Sequence, residues 1–196
     1  MGLARRKGLH FYQRKKRLNS QLIKDIFEML IGTVVAVFLA VAIIFFAGMR
    51  TSVIGNSMEP ALSNGQEILI NRFIYMLSSP KRGDVIVFLP HGNQNSHYYV
   101  KRVVGLPGET VQIKEGRVYI DGVLLDEEDL YDTMSDAGIA ENEIELSTDE
   151  YFVLGDNRNS SEDSRSGNIG AVSRNNIIGK AWFHMASDEE RMGLVE

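Results

Sequence analysis

Two residues of this sequence, a serine and a lysine 44 positions apart, are of types that can share a proton transfer. Ser57 lies in the run Gly-Asn-Ser-Met-Glu-Pro, in which Gly55 tolerates positive φ and Pro60 keeps Glu59 out of the helical region. The run therefore predicts a tight, non-helical turn that presents the serine hydroxyl. Because serines are common in ordinary turns, the interpretation depends on the setting of Lys101.

Lys101 lies in the run Tyr98–Val104, which has the composition of a β-strand. Alternate residues of a strand share a face, so either Lys101 or Arg102 must be flanked by side chains that enter the core. If both cations reach water along an edge strand, the run is only structural. If Lys101 is buried, lost hydration lowers its pKa, and a fall from about 10.4 to about 8 costs ~3 kcal/mol. A neutral amine can take a proton from a hydroxyl, and serine–lysine pairs need no histidine.

A third candidate component is the polar segment of eleven residues Gly155–Arg165. Asp, Asn and Ser form local turns, so the segment is also compatible with an ordinary surface loop. Within it, Asp163 and Arg165 could pair and fix the loop, and a serine could orient the lysine amine.

The elements that would position these residues begin with a hydrophobic segment, Met29–Met49, of 21 residues without a charge. As a helix it would be ~31 Å long, close to the ~30 Å hydrocarbon core of a bilayer. Residues 1–49 sum to a charge of +6 and the rest to −11, and the positive-inside tendency places the basic end in the cytoplasm. We predict a single-pass protein of the cell membrane, with a basic cytoplasmic segment over residues 1–25, a transmembrane anchor over residues 26–49 and an extracytoplasmic domain over residues 50–196.

Two alternatives to an anchor are disfavoured. A cleaved signal peptide would have a shorter hydrophobic region. A buried core helix of this length without charge is rare in soluble domains.

Beyond residue 50 the sequence changes to short β-branched segments, most of them bounded by Gly or Pro turns. No strand–helix alternation is present, so we expect a mainly β, antiparallel domain. The pair Asp121-Gly122 predicts a type I′ hairpin over Arg117–Leu125. Residues 126–150 contain eleven acidic and no basic residues; we expect a solvated insertion, whose spacing does not match a calcium loop. The other predicted strands are Gln66–Asn71, Asp84–Leu89, Tyr98–Val104, Thr110–Lys114, Tyr151–Leu154 and Ile177–Phe183.

The composition excludes several kinds of site. The sequence has no cysteine, and its four histidines show no metal-ligand spacing. It has no phosphate-binding glycine loop. The basic run Arg14–Arg17 could contact nucleic acid, but its place before the hydrophobic segment favours anionic lipid headgroups. We therefore expect no metal, no cofactor and no nucleic-acid partner.

Four motifs that follow a single anchor closely resemble those of the bacterial type I signal peptidases, in particular the Gram-positive kind. They are Gly55–Pro60, Lys81–Phe88, Tyr99–Glu109 and Gly155–Arg165. The resemblance covers most of residues 50–183. It implies a β-rich catalytic domain of the signal-peptidase type and a serine endopeptidase in which Ser57 is the nucleophile and Lys101 the general base.

The resemblance also implies supporting roles. Ser161 would hydrogen-bond the lysine amine, Asp163 and Arg165 would stabilise the loop near the site, and Met58 would lie near the substrate pocket. Some relatives have a serine two positions before the nucleophile that helps to bind the oxyanion. This chain has Gly55 there, so the oxyanion would rest mainly on backbone N–H groups, beginning with that of the nucleophile.

The implied partners are secretory preproteins, cut after an A-x-A-like site, together with the lipid bilayer and proximity to the export machinery. Two alternatives remain. A self-cleaving regulator of the repressor type uses a similar pair, but it belongs in the cytoplasm and the anchor argues against it. A membrane-tethered β domain that only binds peptides would not need both Ser57 and Lys101.

Overall fold

The computed structural model describes residues 20–127, 130–187 and 191–195, in two compact units that divide between Ala42 and Ile43. Helix α1, Ser20–Ala47, contains all but the last two residues of the predicted hydrophobic segment. Its stretch Gln21–Ala42 is long and apolar enough to cross a bilayer, and its side chains are exposed, unlike those of a core helix. Most of the predicted basic segment lies outside the described residues. The division into cytoplasmic, membrane and extracytoplasmic parts stays a prediction.

The β-rich unit is built from twelve strands among the described residues, and every pairing is antiparallel. The larger sheet has the order β1-β2-β11-β3-β4-β9-β10, with β12 beside β11, and the smaller has the order β7-β6-β5-β8. The predicted fold class is therefore confirmed. The strands are β1 (Gly48–Ser52), β2 (Glu67–Asn71), β3 (Val85–Phe88), β4 (Tyr99–Gly105), β5 (Thr110–Lys114), β6 (Arg117–Ile120), β7 (Val123–Leu124), β8 (Ile144–Glu145), β9 (Glu150–Leu154), β10 (Val172–Ser173), β11 (Ile177–His184) and β12 (Gly193–Leu194). Short helices are α2 (Ile74–Leu77) and the 3₁₀ turns Pro90–Gly92, Gly138–Glu141 and Arg174–Asn176.

Strand β4 is an interior strand, since it pairs with β3 on one side and with β9 on the other. Both of its faces are covered: Val100 and Val104 are buried on one face, and Lys101 and Val103 on the other. The edge-strand alternative, in which Lys101 reaches water, is therefore wrong. Burial on both faces instead places the lysine amine inside the domain.

The smaller sheet turns at two hairpins whose central residues have positive φ. Asp121 and Gly122 have φ of 50° and 77°, as the type I′ prediction requires. Glu115 and Gly116, with φ of 51° and 71°, make a second such turn between β5 and β6. A Cβ on Gly116 would lie 2.4 Å from a Thr133 methyl carbon, so the acidic segment packs directly on this turn.

The acidic segment is more than a solvated insertion. Its apolar residues Met134, Ala140 and Leu146 are buried in one cluster with strands of the smaller sheet, and β8 pairs with β5. Within the part of the chain that the structure describes, no group of three or more acidic or histidine residues could hold a metal ion. The segment thus completes the core of the smaller sheet while most of its carboxylates remain exposed.

Candidate active site

The loop between β1 and β2 holds Ser57 at the surface of an apolar cluster. The ends of the loop are joined by two backbone hydrogen bonds, from Val53 N to Gln66 O at 2.9 Å and from Gly65 N to Val53 O at 2.8 Å. Met58, beside the serine, is buried in this cluster, whereas Ser57 itself is half-buried. The buried neighbours fix the backbone of the turn and leave the hydroxyl accessible.

Gly55 has the backbone conformation that its sequence context predicts. Its φ is +84°, a region that favours glycine, and its N–H donates to Asn64 Oδ1 at 2.9 Å. That hydrogen bond occupies the Gly55 N–H. Within the described chain the Ser57 N–H has no hydrogen-bond partner, so it is the backbone donor available beside the serine hydroxyl.

Lys101 meets Ser57 across this turn. Its Nζ lies 2.7 Å from Ser57 Oγ, and the residue is only 4% exposed. Burial lowers the pKa of the Lys101 amine from 10.5 to about 8, although the negative charges of Asp163, Glu162 and Asp156 act in the opposite direction. Near neutral pH a fraction of the amine is thus uncharged and within reach of the hydroxyl proton.

Asp163 fixes the polar loop Gly155–Arg165 from within. The carboxylate is 1% exposed and accepts three hydrogen bonds from Arg165: one from its backbone N–H, one from Nε and one from Nη2, the side-chain distances both being 2.8 Å. It also accepts the Gly155 N–H at 3.1 Å. The Arg165 guanidinium continues to the carbonyls of Arg158 and Asp136. The structure thus brings the predicted Asp163–Arg165 pair together as a buried, charge-assisted contact.

The same loop packs on the backbone of the serine turn. Asn157 N donates to Ser57 O at 3.1 Å. At Gly155 there is no room for a side chain, because a Cβ would lie 2.4 Å from Ser57 O and 2.2 Å from Ser161 Oγ. The loop therefore fixes the position of Ser57 as well as the carboxylates behind Lys101.

A groove of about 430 Å³ runs past the two reactive side chains. Its lining includes the polar residues Ser57, Lys101 and Glu162, together with apolar and aromatic side chains such as those of Ile54 and Tyr98. An extended peptide laid along it would pass within reach of the serine hydroxyl.

Comparison with known proteins identifies the family. The family described as "Signal peptidase, peptidase S26" matches residues 26–186. This chain belongs to that family. It is similar to signal peptidase I P of Bacillus subtilis subsp. natto, with 34% identity over 86% of this chain and 91% of the relative, and to signal peptidase I of Bacillus amyloliquefaciens, with 37% identity over 76% and 82%. A crystal structure of a signal peptidase I from Enterococcus faecalis V583 has 31% identity, covers 53% of this chain and 97% of its own, and gives a TM-score of 0.39.

Membership in the S26 family places the chain among peptidases, which are hydrolases, and confirms the resemblance stated from the four motifs. Its N-terminal apolar helix fits a transmembrane segment. The roles of individual residues stay predictions.

One of those predicted residues, Ser161, lies differently from what the family resemblance implies. Ser161 Oγ is buried and has no hydrogen-bond partner among the described residues, so the implied bond to the Lys101 amine is not formed in this structure. Met58 is fully buried in the core cluster and does not itself line the groove, but the preceding residue Ser57 does, so a place near the substrate pocket stays a prediction.

Sequence reasoning missed two pairs of interacting residues around Lys101. Arg102, on the opposite face of β4, forms a bidentate ion pair with Asp156, with distances of 2.7 and 2.6 Å. Tyr99, two residues before Lys101, donates a hydrogen bond from its hydroxyl group to Glu162 Oε2 at 3.1 Å. The alternation of β4 was the available signal, because it places Tyr99 on the same face as Lys101 and Arg102 on the other.

Proposed function

We propose that this chain is a membrane-anchored serine endopeptidase that removes N-terminal signal peptides from exported preproteins. Ser57 is the nucleophile and Lys101 the general base. The observation that carries the proposal is the 2.7 Å contact between Lys101 Nζ and Ser57 Oγ, made by a buried amine whose pKa is lowered to about 8. The names of the relatives, signal peptidase I, support the substrate class.

Catalysis begins with a proton transfer. Neutral Lys101 accepts the hydroxyl proton as Ser57 Oγ attacks the carbonyl carbon of the cleaved peptide bond. The Ser57 N–H stabilises the negative charge on the carbonyl oxygen. The attack forms a tetrahedral intermediate. Its collapse breaks the C–N bond, and the Lys101 ammonium gives its proton to the leaving amine. The neutral lysine then activates a water molecule, which releases the acyl group from the serine.

The substrate binds along the groove as an extended strand. Side chains at the first and third positions before the cut share one face of such a strand, because its period is two residues. We expect both side chains to be small and to pack against apolar residues of the groove, which include Ile54 and Val100. Small residues at these two positions correspond to the proposed A-x-A-like site. Backbone hydrogen bonds to an exposed strand would supply affinity that does not depend on sequence.

The anchor determines where the enzyme works. Helix α1 holds the β-rich unit at the bilayer, where the end of a signal peptide emerges, with the N-terminus in the cytoplasm and the catalytic part outside. The partners are therefore secretory preproteins and the lipid bilayer, close to the export machinery. The chemistry uses the protein's own side chains and needs no cofactor.

The test uses the detergent-solubilised full chain and a preprotein that carries an A-x-A site, with mass spectrometry of the products. The wild-type chain should release a fragment that begins directly after the second alanine. Ser57→Ala and Lys101→Ala should give no product, and Lys114→Ala, which removes an exposed lysine on β5, should cleave normally. Circular dichroism verifies that each variant is folded. Substantial cleavage by folded Ser57→Ala or folded Lys101→Ala would reject the serine–lysine mechanism.

A further inference from the structure

Glu162 places an exposed negative charge at the groove. It is the sole carboxylate among the groove-lining residues of the described chain. Its two carboxylate neighbours, Asp163 and Asp156, are buried and form ion pairs with arginines. Glu162 forms no ion pair with any Lys or Arg that the structure describes. Among the groove-lining residues of the described chain, Lys101 is the one lysine or arginine that could offset this charge, and it does so only when its amine is protonated.

Tyr99 holds the charge in place. Its hydroxyl, a neutral donor, lies 3.1 Å from Glu162 Oε2. Tyr99 and Lys101 share a face of β4, and Lys101 Nζ lies 5.6 Å from the centre of the Tyr99 ring. The carboxylate is thus fixed on the same side of the groove as the reacting atoms, within reach of side chains next to the cleaved bond.

We propose that Glu162 is a specificity-determining residue, whose carboxylate favours substrates with Lys or Arg close to the cleaved bond and disfavours Asp or Glu there. The inference rests on the proposed peptidase function. The first and third positions before the cut take small residues. The charge must therefore act at the second position before the cut or at the first two positions after it.

The expected preference is modest and depends on salt. Charge pairs that remain exposed to water change binding only several-fold, so we expect kcat/KM for a Lys peptide to exceed that for a Glu peptide by about fivefold at low salt. In 1 M NaCl the Debye length falls to ~3 Å, and the preference should largely disappear. At pH 9 most of the Lys101 amine is neutral, so it does not offset the Glu162 charge.

The experiment uses peptides with one A-x-A site that differ only by Lys, Gln or Glu at each of the three positions. We compare kcat/KM at pH 9 and 50 mM NaCl for the full chain and three variants. The wild type should prefer Lys at one position at least, with Gln intermediate. Glu162→Gln should reduce the Lys-to-Glu ratio to below about twofold, and Glu162→Lys should invert it. The matched control Glu145→Gln, which removes an exposed carboxylate on β8 of the other sheet, should keep the wild-type ratio.

Three results would overturn the inference: equal rates for Lys, Gln and Glu at every position, an unchanged ratio in Glu162→Gln, or an uninverted ratio in Glu162→Lys. The Gln peptide separates this inference from the function on which it rests. If the wild type cuts the Gln peptide and cuts the Lys and Glu peptides at the same rate, only the role of Glu162 fails. If the wild type cuts none of the peptides, the proposed peptidase function fails.

Discussion

Replacing Lys101 by methionine should make the protein more stable while removing its activity. Methionine keeps the length and the apolar contacts of the lysine chain but carries no charge. The fall of the Lys101 pKa from 10.5 to about 8 corresponds to ~3 kcal/mol of lost stability at neutral pH. The lost hydrogen bond to Ser57 offsets about 1 kcal/mol of the gain. We therefore expect Lys101→Met to raise the free energy of unfolding by about 2 kcal/mol at pH 7.

The stability gain of Lys101→Met over the wild type should disappear at high pH. Because the pKa is lower in the folded chain, the unfolded chain binds more protons between pH 8 and 10.5, and wild-type stability from this group rises over that interval. Above it the wild-type lysine is neutral in both states. The variant then lacks only the hydrogen bond, and it should be less stable than the wild type by about 1 kcal/mol.

Urea unfolding of the detergent-solubilised chain provides the measurement, because Trp182 on β11 is the only tryptophan in the sequence and reports on the larger sheet. The difference between variant and wild type is compared at pH 7, 8.5 and 10.5, so that other titrating groups cancel. Lys114→Met, which replaces an exposed lysine, should show little difference at any pH. A Lys101→Met chain no more stable than wild type at pH 7, or an advantage that persists at pH 10.5, would refute the argument from burial.

Three further outcomes are expected. The kcat/KM of the wild type should fall about tenfold for each pH unit below the Lys101 pKa of about 8 and level off above it, since only the neutral amine accepts a proton; a profile that is flat from pH 6 to 9 would contradict this. Asp163→Asn leaves the buried Arg165 guanidinium without its charge partner, and urea unfolding should show a loss of ~3 kcal/mol. Gly155→Ala would push a methyl group against Ser57 O, and steady-state kinetics should show kcat reduced on the order of 10²-fold.

The last two predictions have matched controls. Asp132→Asn changes an exposed carboxylate and should alter stability little. Gly167→Ala places its Cβ no closer than 4.0 Å to another residue and should keep normal kinetics. If Asp132→Asn lost as much stability as Asp163→Asn, the loss could not be assigned to the buried ion pair. If kcat fell as far in Gly167→Ala as in Gly155→Ala, the loss could not be assigned to the contact with Ser57.

The local pattern of the sequence was sufficient for most of the larger strands. Alternation and Gly or Pro turns act over a few residues, so the ranges predicted for β2, β3, β5 and β9 lie within one or two residues of those observed. The two-residue strands β8, β10 and β12 were missed, because pairing with distant strands defines them. Strand β1 begins at Gly48, inside the predicted anchor, since an uncharged run hides the point where helix gives way to strand.

The burial of Lys101 could be predicted only as one of two possibilities. Alternation required one cation of β4 to face the core, but the choice depends on what covers each face. Arg102 forms its ion pair with Asp156, 54 positions away in the chain, and that pairing exists only in the folded sheet. The orientation of the Ser161 hydroxyl depends in the same way on close packing against Gly155, which no sequence pattern expresses.

The loop Gly155–Arg165 contains buried residues that support the fold and exposed residues that can contact a substrate. Asp156, Asp163 and Arg165 are buried and form part of the scaffold, whereas Ser160 and Glu162 are exposed and line the groove. Changes at the exposed positions can alter which peptides are accepted without disturbing the catalytic geometry. Directed evolution of cleavage preference should therefore find its viable variants at these two exposed positions, and libraries that randomise the buried ones should yield mostly unfolded protein.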